Sequence, residues 1–172
     1  MAMMTILIPP EPLTGDHRVD DFSCGEELMD AWLKRRALPN QSTGATRTYV
    51  VTDQDRNVVG FYSLATGAIL PVSATGRFRR NMPDPIPIIV LARLAVDCHY
   101  QGQGLSRALV GDAIRRVLIA ADLVGIRGIV VHALNEGLRD FYTNLGFSVS
   151  PVDDLLMMVT LHDLRSVLGS VD

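Results

Sequence analysis

Lysine is almost missing from this chain of 172 residues: Lys34 stands alone, and every other basic side chain is arginine. Arginine holds phosphate through a rigid planar fork, so the placement of these residues matters more than their total. A GC-rich coding bias accounts for the same excess equally well. The formal net charge of -3 excludes a molecule that binds nucleic acid through an overall basic surface. Cysteine is scarce too. Cys24 and Cys98 give neither a metal-ligand spacing nor a disulfide framework, and no metal is expected. Cys98-His99 is the one pairing that invites a nucleophilic dyad, but adjacent side chains on a strand point to opposite faces and diverge. No apolar run is long enough to span a bilayer, and the start of the chain lacks the basic segment and apolar core of a secretory leader. These absences predict a cytoplasmic protein that makes no use of a membrane.

No repeat, low-complexity tract or linker divides the chain. Its length and its 48% hydrophobic and 20% charged content predict one globular domain over residues 1–172 with a sizeable core. A helix is expected over residues 26–38, with Leu28, Ala31 and Trp32 on one face, Ser23 as N-cap and Glu26 as its capping-box partner. It should end before Pro39. Residues 47–52 and 58–70 read as a hairpin about a turn at 53–57. Residues 71–87 read as a loop, and 88–96 as a central apolar strand. Apolar residues from Leu105 to Val124 recur at helical spacing, and Gly125 suits the stop. A buried strand at 128–133, a helix at about 136–145 and a last strand pair at 147–149 and 155–161 complete the pattern, which predicts a mixed sheet with helices packed on it.

The strongest local signal joins the strand ending at Val96-Asp97 to Gln101-Gly102-Gln103-Gly104-Leu105-Ser106 and then to the long helix. A helix start offers unpaired backbone N–H groups and the positive end of the dipole. Glycines just before it let a pyrophosphate approach the backbone without a Cβ in the way. The segment has no Gly-Lys-Ser/Thr, and it lacks the third glycine and acidic follower of a dinucleotide fold. An anion site or a plain glycine-rich helix entry both remain open on this evidence.

Gln101-x-x-Gly104-x-Ser106 resembles the Gln/Arg-x-x-Gly-x-Gly/Ala signature of the GNAT superfamily of acetyltransferases, with Ser106 where glycine or alanine is usual. Leu91-Ala92-Arg93-Leu94-Ala95-Val96-Asp97 resembles that family's fourth strand, and Asn135-Glu136 with Phe141-Tyr142-Thr143-Asn144-Leu145-Gly146-Phe147 resembles its last helix and the turn after it. The resemblance implies an α+β sandwich, the GNAT fold, with a central mixed and largely antiparallel sheet flanked by helices. It implies acetyl-CoA as acetyl donor, held by Leu94, Ala95, Val96, Gln101, Gly102, Gln103, Gly104, Leu105, Ser106, Arg107 and Asn135. The strand's backbone would pair with the pantetheine arm as an extra strand does. The hydroxyl of Ser106 could cap the helix, and Asn135 either touches the cofactor or caps the helix that follows it. Tyr142 is the expected general acid for the departing thiolate, or else a packing tyrosine with a satisfied hydroxyl. It is expected at the edge of a stripe made by Leu138, Phe141 and Leu145.

No glutamate stands out as a base, because Glu26, Glu27 and Glu136 each have ordinary helix-start explanations. A lysine amine near pKa 10.4 needs deprotonation, whereas an α-amine near 8 is partly neutral already, so an α-amine acceptor fits better. Within the superfamily, Phe22-Ser23-Cys24-Gly25, Trp32-Leu33, Asn40-Gln41, Arg47-Thr48-Tyr49-Val50 and Arg79-Arg80-Asn81-Met82-Pro83 resemble the toxin acetyltransferases of bacterial toxin–antitoxin pairs, the TacT and AtaT group. That resemblance implies acetylation of the α-amine on aminoacyl-tRNA, a translation block, a homodimer and a ribbon-helix-helix antitoxin. Arg77, Arg79 and Arg80 in the loop are candidate RNA contacts, as are Lys34, Arg35 and Arg36, although the latter three would equally complement a helix C-terminus. His17, His132 and His162 are read as structural or surface residues.

Overall fold

A computed structural model describes residues 5–171. In order, the elements are β1 (Ile8–Pro12), α1 (Glu27–Arg35), α2 (Ala37–Thr43), β2 (Arg47–Thr52), β3 (Val58–Ile69), α3 (Gly76–Arg79), β4 (Ile86–Val96), α4 (Leu105–Ala121), β5 (Gly128–His132), α5 (Glu136–Leu145), β6 (Ser148–Val149), β7 (Leu156–Thr160) and α6 (Leu161–Val171). The strands form a seven-stranded sheet in the order β1-β2-β3-β4-β5-β7-β6. It is mixed: β4 and β5 run parallel, whereas β1–β2, β2–β3, β5–β7 and β6–β7 are antiparallel. Among the described residues no helix is long and apolar enough to cross a membrane.

The chain divides into two compact units, 1–64 with 93–109 and 65–92 with 110–172. The core of the first gathers Leu13, Phe22, Leu33, Ala37, Val50, Val58, Phe61 and Ala95, with Met29 and Trp32 packed against it. In the second, Ala74, Phe78, Ile86, Ile88, Val130 and Met158 come together. There Gly128 has a close-approach role: a Cβ on it would sit 2.9 Å from the Thr160 Cα and closer still to the Val159 carbonyl oxygen, so only glycine lets β5 lie this near β7.

Several local expectations are corrected. Ser23 does not cap the first helix. Glu26 stands at the N-cap with no side-chain cap bond, and the Ser23 amide donates to Asp97 instead. Helix does not stop before Pro39 either. α1 ends at Arg35, and α2 carries Pro39 in its first turn, where no intrahelical N–H is needed. Leu28 is 89% exposed. The core-facing stripe of α1 is Met29, Trp32 and Leu33, with Leu33 buried and the other two partly covered, and it has equally good helical spacing. β1 was hidden by Pro9, Pro10 and Pro12; it lies at the sheet edge, where proline is tolerated. Cys98 and His99 lie in a tight turn, Cys98–Tyr100, rather than on a strand. α3 and α6 fall in stretches taken for a loop and for the end of the last strand, and Thr160 Oγ1 accepts the Asp163 amide at the start of α6.

Gln41 on α2 stitches the first unit together. Its Nε2 donates to the Leu13 and Thr48 carbonyls at 3.4 and 3.3 Å, and its Oε1 accepts the Thr48 amide at 2.8 Å. Replacing it with alanine takes this partner from the Leu13 carbonyl and the Thr48 amide in a part-buried setting, while the Thr48 carbonyl keeps the Leu13 amide at 2.9 Å. Gln41→Ala should lower unfolding free energy by about 1–3 kcal/mol in urea denaturation; a loss under ~0.5 kcal/mol would mean that water replaces the amide.

Candidate functional site

In the first unit the site grows out of the end of β4. The Asp97 amide donates to the Val59 carbonyl at 2.8 Å, so the residue is fixed by the sheet. Its buried carboxylate accepts the Ser23 amide at 3.0 Å, the His99 amide at 2.9 Å and His99 Nδ1 at 3.0 Å. Burial pushes the Asp97 carboxyl up, but the two amides and the His99 ring outweigh it and hold the group below the usual carboxylate range. The His99 ring nitrogen therefore goes to Asp97 and not to Cys98, which is exposed. Burial, then the hydrogen bond to Asp30, pushes the Cys24 thiol up to about 11, so it is no thiolate at neutral pH.

Gln101 forms a second latch. Its Nε2 donates to the Val96 carbonyl at 2.8 Å and to the Cys24 carbonyl at 3.0 Å. Of the expected cofactor residues, the structure thus joins Gln101 directly to Val96. Gly102 and Gly104 both take the left-handed conformation, φ +76° and +82°, with open space where a Cβ would stand. α4 starts at Leu105, and the first amides of a helix have no intrahelical acceptor. Gln103, Gly104 and Arg107 are exposed; Leu105 and Ser106 are half-buried. Ser106 lies inside the first turn rather than at the cap, and among the described residues its hydroxyl has no hydrogen-bond partner. Upstream, β4 pairs with β5 at Ile89, Val90 and Leu91 and then runs on to Val96, so Leu94 and Ala95 take no part in that ladder. An open glycine loop entering a helix can take an anion, and an unladdered strand edge can take an extended chain. Both suit a phosphate-bearing, amide-bearing cofactor.

Also in the first unit, Lys34 and Arg35 close α1 and Arg36 follows it; all three are exposed. Trp32 on α1 stacks on buried Phe61, with centroids 6.1 Å apart and planes at 10°, and the Arg93 guanidinium lies 5.3 Å from the Trp32 ring centre. The chemistry-bearing roles of Asp97, Arg93 and Trp32 escaped sequence reasoning. Asp97 and Arg93 lie in the motif already quoted, but their partners are distant in sequence.

The second unit holds Tyr142. It is central to the buried face of α5, only 4% exposed, not at the edge of a stripe; Leu138 and Phe141 are the partly covered ones. Its ring packs against Phe141 and Phe147 at 5.1 and 5.3 Å between centroids. Among the described residues its hydroxyl has no hydrogen-bond partner. Burial raises its pKa well above the ordinary value, so the phenol keeps its proton at any physiological pH. Asn135 is the N-cap of α5 and accepts the Leu138 amide at 3.0 Å. Arg77 is bound bidentately to Asp163 at 2.7 and 2.8 Å, whereas Arg79 and Arg80 are exposed. Among the described residues no three His, Cys, Asp or Glu side chains gather as a metal site.

The family model for the acetyltransferase (GNAT) domain matches residues 44–149. The chain is 46% identical over 160 residues to a tRNA-acetylating toxin of Mycobacterium tuberculosis (strain ATCC 25618 / H37Rv), covering 93% of this chain and 96% of that protein. It is similar to AtaT complexed with acetyl-methionyl-tRNAfMet, with TM-score 0.85, 29% identity, and 93% and 98% of the two chains covered. A second similar structure is a tyrosine-to-phenylalanine mutant of the toxin AtaT bound to the C-terminus of the antitoxin AtaR and acetyl-CoA, with TM-score 0.79, 29% identity and coverage of 92% and 96%.

The Asp97 latch has a pH signature. An unfolded aspartate titrates near pH 3.9 and the folded one lower, so its stabilisation is complete above about pH 4 and fades as pH falls through the folded value. Asp97→Asn should lower the melting temperature at pH 7, with the gap to the parent narrowing as pH falls below the unfolded value of about 3.9. A gap of equal size at both pH values would sink this reading of the carboxylate.

Proposed function

Since the chain belongs to the GNAT acetyltransferase family, we propose that this N-acetyltransferase acts on the α-amine of the amino acid carried by tRNA and so blocks translation. The observation that carries the reading is identity of 46% across 93% of the chain to a protein named a tRNA-acetylating toxin. The AtaT complex with acetyl-methionyl-tRNAfMet supports it from the structural side.

Acetyl-CoA, when bound, supplies an acetyl group already activated as a thioester. Backbone groups of Leu94, Ala95 and Val96 pair along its pantetheine arm, while amides of Gly102, Gln103, Gly104, Leu105 and Ser106 take the phosphates. Arg107, exposed in the first turn of α4, adds positive charge there, and Asn135 lends its free side-chain amide nitrogen. Gln101 has a different task from the one its motif implies: its side chain is committed to the Val96 and Cys24 carbonyls, so it holds the loop in shape. Tyr142 holds a proton at Oη for delivery to the leaving sulfur. Burial keeps that proton in place, and no competing acceptor binds it among the described residues. The acceptor amine needs no dedicated carboxylate base, because an α-amine near pKa 8 is partly neutral at physiological pH.

Exposed Lys34, Arg35, Arg36, Arg79 and Arg80 meet tRNA phosphates through their local field despite the acidic total. Arg77 is less suited, being engaged by Asp163. The protein works in the cytoplasm as a homodimer and is neutralised by a ribbon-helix-helix antitoxin; the AtaT structure with the C-terminus of AtaR supports an antitoxin partner.

The test is acetylation of a total pool of charged tRNA with labelled acetyl-CoA. Acetylated aminoacyl-tRNA should form, and Tyr142→Phe should lower kcat by about 10²–10⁴-fold with the Kd for acetyl-CoA unchanged. A folded, acetyl-CoA-binding protein that leaves every charged tRNA unmodified would falsify the substrate.

A further inference from the structure

We propose that Arg93, seated over Trp32, grips a phosphate of the single-stranded 3′ end of the RNA acceptor; this rests on the aminoacyl-tRNA reading above. The argument begins with polarity. The anion loop, Gly102 to Ser106, follows the C-terminal end of β4, so a cofactor laid along the strand has its phosphates at that end. Its reacting end then points back toward Leu94 and beyond. Arg93 is next in that direction. At about 3.3 Å per strand residue it sits roughly 10 Å before the strand's end, displaced from the phosphate loop and toward the acyl group. A cation in this position meets whatever carries the acceptor amine.

The mounting of Arg93 supports the same role. Phe22 meets Phe61 edge-on at 5.5 Å and 71°, Phe61 stacks on Trp32, and the Arg93 guanidinium lies over Trp32. Phe22 and Phe61 are core residues, Trp32 is half-buried and Arg93 is exposed. The column runs from fixed core to solvent and ends on a charge. The ring engages the guanidinium through its charge, and the group carries five donors, more than one partner can use. A lysine would not be oriented in this way. Packing against the ring also removes rotamer freedom before the ligand arrives, so less is lost on binding. The other basic candidates of this unit, Lys34, Arg35 and Arg36, have no such support.

The experiment measures KM and kcat for charged tRNA at 50–200 mM KCl, with the Kd of acetyl-CoA in parallel. For Arg93→Ala, KM should rise about 10- to 100-fold, the range of one charge-assisted bond, with little change in kcat or in acetyl-CoA affinity. The slope of log KM against log salt should become shallower by about 0.7, one phosphate contact on a single strand. Arg93→Lys should restore the slope while recovering KM only in part, and Trp32→Ala should raise KM with the slope kept. If Arg93→Ala leaves the slope unchanged, or weakens acetyl-CoA binding as much as tRNA, the assignment is wrong and Arg93 serves packing or the cofactor. If the parent enzyme acetylates no charged tRNA, the substrate reading fails first and this inference falls with it.

Discussion

One buried carboxylate sets the geometry on which the anion loop depends. Asp97 sits where β4 ends, and it accepts two backbone amides and a ring nitrogen. One of those amides, Ser23, belongs to the approach to α1, so the carboxylate ties the entry of the first helix to the exit of the strand. The Cys98 amide returns the bond to the Ser23 carbonyl at 2.8 Å, and Gln101 repeats the tie through the Cys24 carbonyl. Each tie joins a side chain or amide to backbone, so the path of the chain itself is held. The two left-handed glycines have no packing of their own to hold them. They can stay open because the residues just before them are anchored.

The two ends of the proposed chemistry ask for opposite environments, and the chain provides both. An anion cradle works through exposed amides and the helix dipole, which tolerate water because the ligand carries its own charge. A proton donor at neutral pH must stay neutral, and burial among Phe141 and Phe147 keeps the Tyr142 phenol so. An acceptor amine of low basicity completes the logic, since it relieves the protein of supplying a base.

Much of the fold was legible in short stretches. The hairpin around residues 53–57, the apolar strand before Asp97, the glycine-rich helix entry and the helix carrying Tyr142 all follow from patterns a few residues long. Errors arose where a local pattern had two solutions. Leu28 and Met29 both start a stripe with helical spacing in α1, and only packing on the first core decides that Met29 is partly covered and Leu28 exposed. Pro39 stops a helix in the general case yet sits comfortably in the first turn of a second one. The prolines of β1 argue against a strand unless the strand is known to lie at an edge.

By itself the sequence determined most of the strands, the helices α4 and α5 and the glycine-rich entry to α4, because periodicity and turn chemistry are properties of near neighbours. It determined the family as well, through the motif from Leu91 to Ser106 and the run from Asn135 to Phe147. Only the tertiary structure decided what the individual side chains do. Asp97 meets a partner 74 residues away, Gln101 one at 77 and Arg77 one at 86. These pairings bond the Gln101 side chain to two carbonyls and Arg77 to a carboxylate, and they set a guanidinium over a tryptophan. The physical reason is the same in each case: a side chain's chemistry belongs to whatever lies within about 3 Å of it, and in a sheet-centred fold that neighbour comes from far along the chain.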